Sequence, residues 1–367
     1  MMILAHWILY ISISLLAYCY LIYPLSVLFL ARLFPRPVSK GDETPIVTVL
    51  IPAHNEAKII RRKIENTLAL DYPEGRMEVL LISDGSDDGT DEIAASFAGP
   101  GVTAIAYPER CGKLKALLAA LPRARGDILV FSDASGMLRP AALREMVSNF
   151  ADPRVGCVCG YYRSPALAKR GEGGELAYWD YEFAIKRAES RFSTLLGATG
   201  AMYAVRRGAF VTPDSDTIND DFVIPALVTL NGYRTVLEER AIVDDCDPRM
   251  GDFKRRVRVA GGNWQQTFSF PGLLSPRNPV VCWQFVSHKF LRMVSPLLII
   301  GVLASVAVIL PWLAVLLMIF MVLMVVPWGK GASGGIGAAG KKFIEANLAG
   351  LCGMALFFIR PSALKWN

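Results

Sequence analysis

Two acidic clusters stand where apolar, strand-like runs end. Residues 47–51 lead into Pro52-Ala53-His54-Asn55-Glu56, and residues 79–82 lead into Ser83-Asp84-Gly85-Ser86-Asp87-Asp88-Gly89-Thr90. Carboxylates such as those of Glu56 and Asp84 repel a bare phosphate and accept hydrogen bonds from N–H and O–H donors. A uracil N–H or ribose hydroxyls would satisfy them. The pattern suits a nucleotide whose phosphates are neutralised by something else. The same residues also suit a polar turn that opens a helix.

Further along, Arg110-Cys111-Gly112-Lys113 joins a glycine, a helix start and a lysine. That combination suits a diphosphate, or a solvated helix start. Ser132-Asp133-Ala134-Ser135 ends another strand-like run. An acidic side chain there can hold a hard cation such as Mg²⁺ or Mn²⁺, which prefers oxygen ligands, or it can cap a helix. Gly197-Ala198-Thr199-Gly200-Ala201-Met202 is a run of small residues that lets a substrate approach the backbone, or makes a tight turn. Asp220-Asp221 opens a helix-like stretch and offers either a cap or a general base for a hydroxyl. Lys254-Arg255-Arg256-Val257-Arg258 precedes Gly261-Gly262-Asn263-Trp264. Its arginines suit bidentate contact with a diphosphate, or charge facing lipid.

These segments need a scaffold. Residues 47–51, 77–83, 102–106 and 128–132 read as strands. Residues 56–70, 91–97, 112–121 and 140–150 read as helices. The alternation predicts an α/β domain over 42–270 with a mostly parallel sheet and helices on both faces. In such sheets ligands bind beyond the carboxyl ends of the strands, where the acidic clusters fall.

The ends of the chain are different. Of 367 residues 53% are hydrophobic, and the mean hydropathy of +0.36 is high for a soluble enzyme. No Lys, Arg, Asp or Glu occurs from Ile3 to Ala31, longer than the roughly 20 residues a bilayer requires. Without a basic leader or a small-residue cleavage site, 1–34 reads as a membrane anchor. Arg32, Arg36 and Lys40 follow it, which places the middle of the chain in the cytoplasm. Residues 271–292 read as an amphipathic helix at the interface, with Trp283, Phe285 and Phe290 at headgroup depth and Lys289 and Arg292 toward phosphates. Residues 293–360 read as three further spans, broken near Pro311 and by a Gly-rich loop carrying Lys330, Lys341 and Lys342. Four spans in all put that basic loop in the cytoplasm.

Several functions are disfavoured. Seven cysteines without a CxxC pair suit a reducing compartment rather than a disulfide framework. Three histidines and no GxSxG segment argue against a His-rich zinc site and a Ser-His-Asp hydrolase. The net charge of +6 gathers near the membrane segments and is no nucleic-acid signature. Spans almost free of charge argue against an ion transporter, and a sugar-nucleotide pyrophosphorylase would need no spans.

Taken in order, Asn55-Glu56, Asp84-Gly85-Ser86, Arg110 to Lys113, Ser132 to Ser135, Thr199 to Met202, Asp220-Asp221 and the arginine segment, flanked by apolar helices, resemble the membrane-embedded family 2 glycosyltransferases. These are the cellulose-synthase-like and hyaluronan-synthase-like enzymes. The resemblance covers about 47–266. It implies a GT-A fold, a UDP-sugar donor, a Mg²⁺ or Mn²⁺ cofactor, inversion at the anomeric carbon and a glycan or lipid-linked acceptor. It also implies a multi-pass inner-membrane location with a cytoplasmic catalytic domain, and a polysaccharide-synthesis complex as partner. By motif, Glu56 and Asp84 would hold the uridine, Lys113 would sit beside the nucleotide, and Asp133 would bind the metal. Asp221 would be the catalytic base, with Asp220, Thr199 and Gly200 on the acceptor side. Arg255, Arg256 and Arg258 fall where the family carries QRxRW. Ser135 replaces the second Asp of the family's DxD, and Asp220 the Glu of its ED. Arg255 and Val259 replace the Gln and Trp of QRxRW, which puts processive polymerisation in doubt. Trp264 is the candidate substitute for that lost aromatic platform, or ordinary packing at the membrane interface.

Overall fold

The structure, a computed structural model, describes residues 1–163, 173–245, 252–325 and 336–364. The chain divides into two compact units.

One unit, Arg36–Pro165 with Ser193–Pro248, holds the sheet. In chain order its strands are β1 (Val47–Ala53), β2 (Met77–Asp84), β3 (Val102–Tyr107), β4 (Ile128–Phe131), β5 (Gly136–Leu138), β6 (Val155–Arg163), β7 (Tyr203–Arg206) and β8 (Arg234–Asp245). Among the described residues they form one eight-stranded sheet in the order β3-β2-β1-β4-β7-β6-β8-β5. β1 runs parallel to β2 and β4, β2 to β3, and β6 to β8. β7 lies antiparallel between β4 and β6, and β5 antiparallel to β8. Val47, Val49, Leu50 and Ile51 of β1 and Val79 to Ile82 of β2 are all buried. Such near-continuous apolar runs, interrupted in β1 only by the buried Thr48, belong to strands covered on both faces.

The helices between them are Ile60–Leu68, Thr90–Ala95, Lys113–Ala120 and Ala142–Ser148. The helix expected over 56–70 begins late. Asn55 takes a left-handed conformation at φ 55°, and the Glu56 N–H donates to the Thr90 hydroxyl at 2.9 Å. That bond draws the 83–90 loop against the end of β1 and keeps residues 56–59 as a turn. The four strands expected are β1 to β4; β5, too short to show a period, and the long β8 were missed, as was the helix Gly173–Phe192.

The second unit is helical: Met1–Pro35, Ala166–Phe192 and Arg249–Leu364. Two of its helices, Met2–Leu33 and Pro279–Ile309, are long and apolar enough to cross a membrane. Pro279–Ile309 corrects the expectation of a separate interface helix ending at 292, because the chain continues helically through that point. The polar groups assigned there to lipid headgroups turn to protein instead. Arg292 Nη1 donates to Glu182 Oε2 at 2.7 Å. His288 lies between Glu189 Oε1 at 2.8 Å and Glu182 Oε2 at 3.2 Å. Trp283 Nε1 donates to the Tyr18 hydroxyl at 2.8 Å, and Phe285 is buried. The break near Pro311 is present: Leu310 leaves helical geometry and a new helix spans Pro311–Val325. The last helix is Ile336–Ile359. Residues 326–335, Lys330 included, lie outside the described residues, whereas Lys341 and Lys342, expected in the Gly-rich loop, fall within the last helix.

Candidate active site

The carboxyl ends of β1, β2 and β4 carry the predicted polar residues to one edge. β2 ends on Asp84, 3% exposed. Its Oδ1 accepts from Cys111 N–H at 2.7 Å and its Oδ2 from Gly112 N–H at 2.8 Å. The carboxylate therefore fastens the Arg110–Gly112 turn, and its oxygens face backbone rather than open space. Gly85 makes that approach feasible. Its φ is +64°, and a Cβ there would lie 2.4 Å from Arg110 N. The end of β1 is knitted to the same loop: His54 Nδ1 meets Asp84 O at 2.7 Å, and Asp87 N–H donates to Asn55 Oδ1 at 3.0 Å. Asp88 accepts from Ala57 N–H and from Thr90. Burial works against its charge, but the Thr90 hydroxyl and these N–H groups outweigh that and hold its carboxyl below the usual range. Glu56 is half-buried on this edge.

Asp133 follows β4 with its side chain 31% exposed. Lys113, at the first turn of Lys113–Ala120, reaches Asp133 Oδ1 at 2.9 Å and Asp220 Oδ2 at 3.1 Å. Burial would lower the Lys113 pKa, but Asp133, Asp220 and Asp221 together hold it above its ordinary value. Asp220 and Asp221 begin the helix Asp220–Leu230. Asp220 is 6% exposed and committed to Lys113, whereas Asp221 is more open and accepts from Gly200 N–H through Oδ2 at 3.1 Å. Gly200 stands between the two carboxylates. A Cβ on it would lie 3.0 Å from Asp133 Oδ2 and 3.6 Å from Asp221 Oδ2. The missing side chain leaves a small cradle with an acid on either side. Thr199 is buried, 3.8 Å from Cys159 Sγ.

The sheet edge thus unites Asp84, Lys113, Asp133, Gly200, Asp220 and Asp221, which come from widely separated segments. Residues 48–212 match the family described as Glycosyl transferase family 2. The chain carries a family 2 glycosyltransferase domain. Its sheet is of the GT-A-like, mostly parallel α/β kind. The poly-β-1,6-N-acetyl-D-glucosamine synthase of Staphylococcus aureus is 28% identical over 238 residues, 62% of this chain and 57% of that protein. An N-acetylglucosaminyltransferase of Mesorhizobium japonicum is 26% identical over 313 residues, covering 77% of this chain and 72% of its own. Among solved structures, a mannosyltransferase from Pyrobaculum calidifontis in complex with GDP-Man and Mn²⁺ shares the fold at a TM-score of 0.74. It is 22% identical, over 96% of this chain and 99% of that one.

Within the glycosyltransferase domain, no three His, Cys, Asp or Glu side chains among the described residues gather closely enough to hold a metal alone. The donor set still fits Mg²⁺ or Mn²⁺ in one way. Asp133 offers hard carboxylate oxygen beside the Gly200 cradle, and a diphosphate would bring the remaining oxygens. Beneath it lies a residue that the motifs did not reveal. Lys63 is fully buried, and its Nζ donates to Ser132 Oγ at 2.7 Å and Gly136 O at 2.5 Å. Burial pulls its pKa down to about 7 against the opposing pull of Asp133 and Asp245. The signal was its spacing: Lys63 shares a helix face with Ile60, Ile64 and Thr67, all buried.

Arg255, Arg256, Arg258 and Trp264 lie on the helix Phe253–Ser269 of the other unit. The three arginines are half-buried. Trp264 is 8% exposed, edge-on to Phe358 at 5.5 Å and stacked on Phe268 at 6.4 Å between ring centroids. Its indole is packing, and it offers no open face to a sugar.

Proposed function

We propose that the chain is an inverting glycosyltransferase that moves a sugar from a UDP-sugar to a glycan or lipid-linked acceptor at the membrane, in polysaccharide or glycolipid synthesis. The observation that carries this reading is the grouping of Asp133, Lys113, Asp220 and Asp221 around Gly200. The chain spans only 57% of the length of the Staphylococcus aureus synthase named above, so the sugar, the acceptor and any partner complex belong to the proposal.

In this reading Glu56 faces the uridine, and Asp84 serves it by fixing the Arg110–Gly112 turn. Lys113 then exchanges a carboxylate for a phosphate oxygen. Asp133 holds a divalent cation, which when bound would offset charge on the departing diphosphate. Asp221 accepts the proton of the acceptor hydroxyl as its oxygen bonds to the anomeric carbon, while the carbon–oxygen bond to UDP breaks on the opposite face. One displacement gives one inversion. The main contribution of Asp221 is orientation of the hydroxyl. Thr199 and Gly200 shape the acceptor side.

The proposed order is an anchor over 1–34, a catalytic domain over 42–270 of which residues 166–192 and 249–270 fall in the helical unit, and apolar helices to 360. Four spans and a cytoplasmic catalytic domain agree with Arg32, Arg36 and Lys40 after the first helix. Large exposed apolar side chains such as Leu4, Trp7, Phe29, Trp312 and Ile319 support lipid contact. Detergent-purified protein offered a panel of UDP-sugars, with release of UDP as readout, tests the reading. No release from any of them, with or without Mn²⁺, would overturn it.

A further inference from the structure

A lysine with no exposure is costly unless every donor is matched. The Lys63 ammonium meets Ser132 Oγ and Gly136 O, the two ends of the turn that carries Asp133. Gly136 N–H closes that turn onto Asp133 O at 3.1 Å. Ser132 Oγ passes its own hydrogen to Ala201 O at 2.8 Å, which fixes the chain just after Gly200. One helical step on, Asn66 takes the main chain of Leu138 in both directions, at 2.9 Å and 2.8 Å. One face of the helix Ile60–Leu68 therefore grips the whole 132–138 segment. Apolar side chains would fill the same space more cheaply, but they would not set the two ends of the turn.

We propose that Lys63 is a positioning residue for Asp133: its ammonium fixes the Ser132–Gly136 turn so that the Asp133 carboxylate stays presented to a divalent cation. The inference rests on Asp133 as the metal ligand. It makes a prediction opposite in sign to simple charge. An ammonium near a cation site repels the cation, so removing it for charge reasons alone would tighten binding. Removing a residue that orients a ligand weakens metal binding by roughly 10–100-fold.

The test is Mn²⁺ titration by electron paramagnetic resonance on the full chain in detergent with saturating UDP. Wild type, Lys63→Met, Ser132→Ala, the double variant and Asp133→Ala are compared, each with its Tm. Lys63→Met and Ser132→Ala should each weaken Mn²⁺ by roughly 10–100-fold. The double variant should fall short of the product of the two single effects, because both changes break the Lys63–Ser132 bond. UDP affinity without metal should hold, and the Tm of Lys63→Met should not fall. If Lys63→Met binds Mn²⁺ as well as wild type or better while Asp133→Ala does not bind it, the role of Lys63 is refuted and the metal site stands. If Asp133→Ala binds Mn²⁺ like wild type, both fall.

Discussion

The ammonium of Lys113 lies 2.9 Å from the carboxylate of Asp133, the residue proposed to hold the metal. A side chain thus already sets a positive charge against this carboxylate. Lys113→Met should therefore tighten Mn²⁺ binding in the absence of nucleotide and weaken UDP binding, each by roughly tenfold, the scale of one charged hydrogen bond. Paired Mn²⁺ and UDP titrations check both signs.

Asp221→Asn keeps the shape of the Gly200 contact but removes the proton acceptor. UDP-sugar turnover should drop by roughly 10²–10⁴-fold with UDP affinity nearly unchanged. Retention of more than about a tenth of wild-type turnover would place the base elsewhere.

Gly85→Ala should destabilise the fold by roughly 2 kcal/mol or more, since a left-handed φ alone costs about 1–2 kcal/mol outside glycine. The added Cβ would also press on Arg110 N, 2.4 Å away. Urea unfolding gives the number, and UDP affinity should fall with it because the Arg110–Gly112 turn is displaced.

Lys63 makes stability depend on pH. Its pKa is about 7 in the folded protein and 10.5 ordinarily. Between those values the unfolded chain binds a proton that the folded chain does not, so this residue makes stability rise with pH from about 7 to 10.5. Below about 7 the penalty of the buried charge is present in full and the slope vanishes. Lys63→Met, measured by Tm on metal-free protein, should lose that slope and melt higher at neutral pH.

In intact cells, in a background with the native cysteines replaced, Ile3→Cys should react with an impermeant thiol reagent and Ser39→Cys should not. The charge at Arg32, Arg36 and Lys40 sets this orientation. The reverse pattern would invert the proposed topology.

Local order fixed much of this protein in advance. Apolar runs ending in acids at Glu56, Asp84 and Asp133 were enough to call parallel strands with a binding edge, because burial on both faces leaves a one-dimensional trace. The run from Ile3 to Ala31 announced a lipid-compatible helix for the same reason. What a side chain faces leaves no such trace. Asp84 read either as an acceptor for a nucleotide or as part of a polar turn, and its oxygens are spent on Cys111 and Gly112, 27 and 28 residues away in sequence. Arg292 read as a headgroup contact, yet it pairs with Glu182. Trp264 read either as a sugar platform or as ordinary packing, and it packs on Phe358. Lys63 stood in none of the motifs, and only the fold put it under the Asp133 turn. Hydrogen-bond partners are chosen by proximity in space, and only the folded chain brings those atoms within 3 Å of one another.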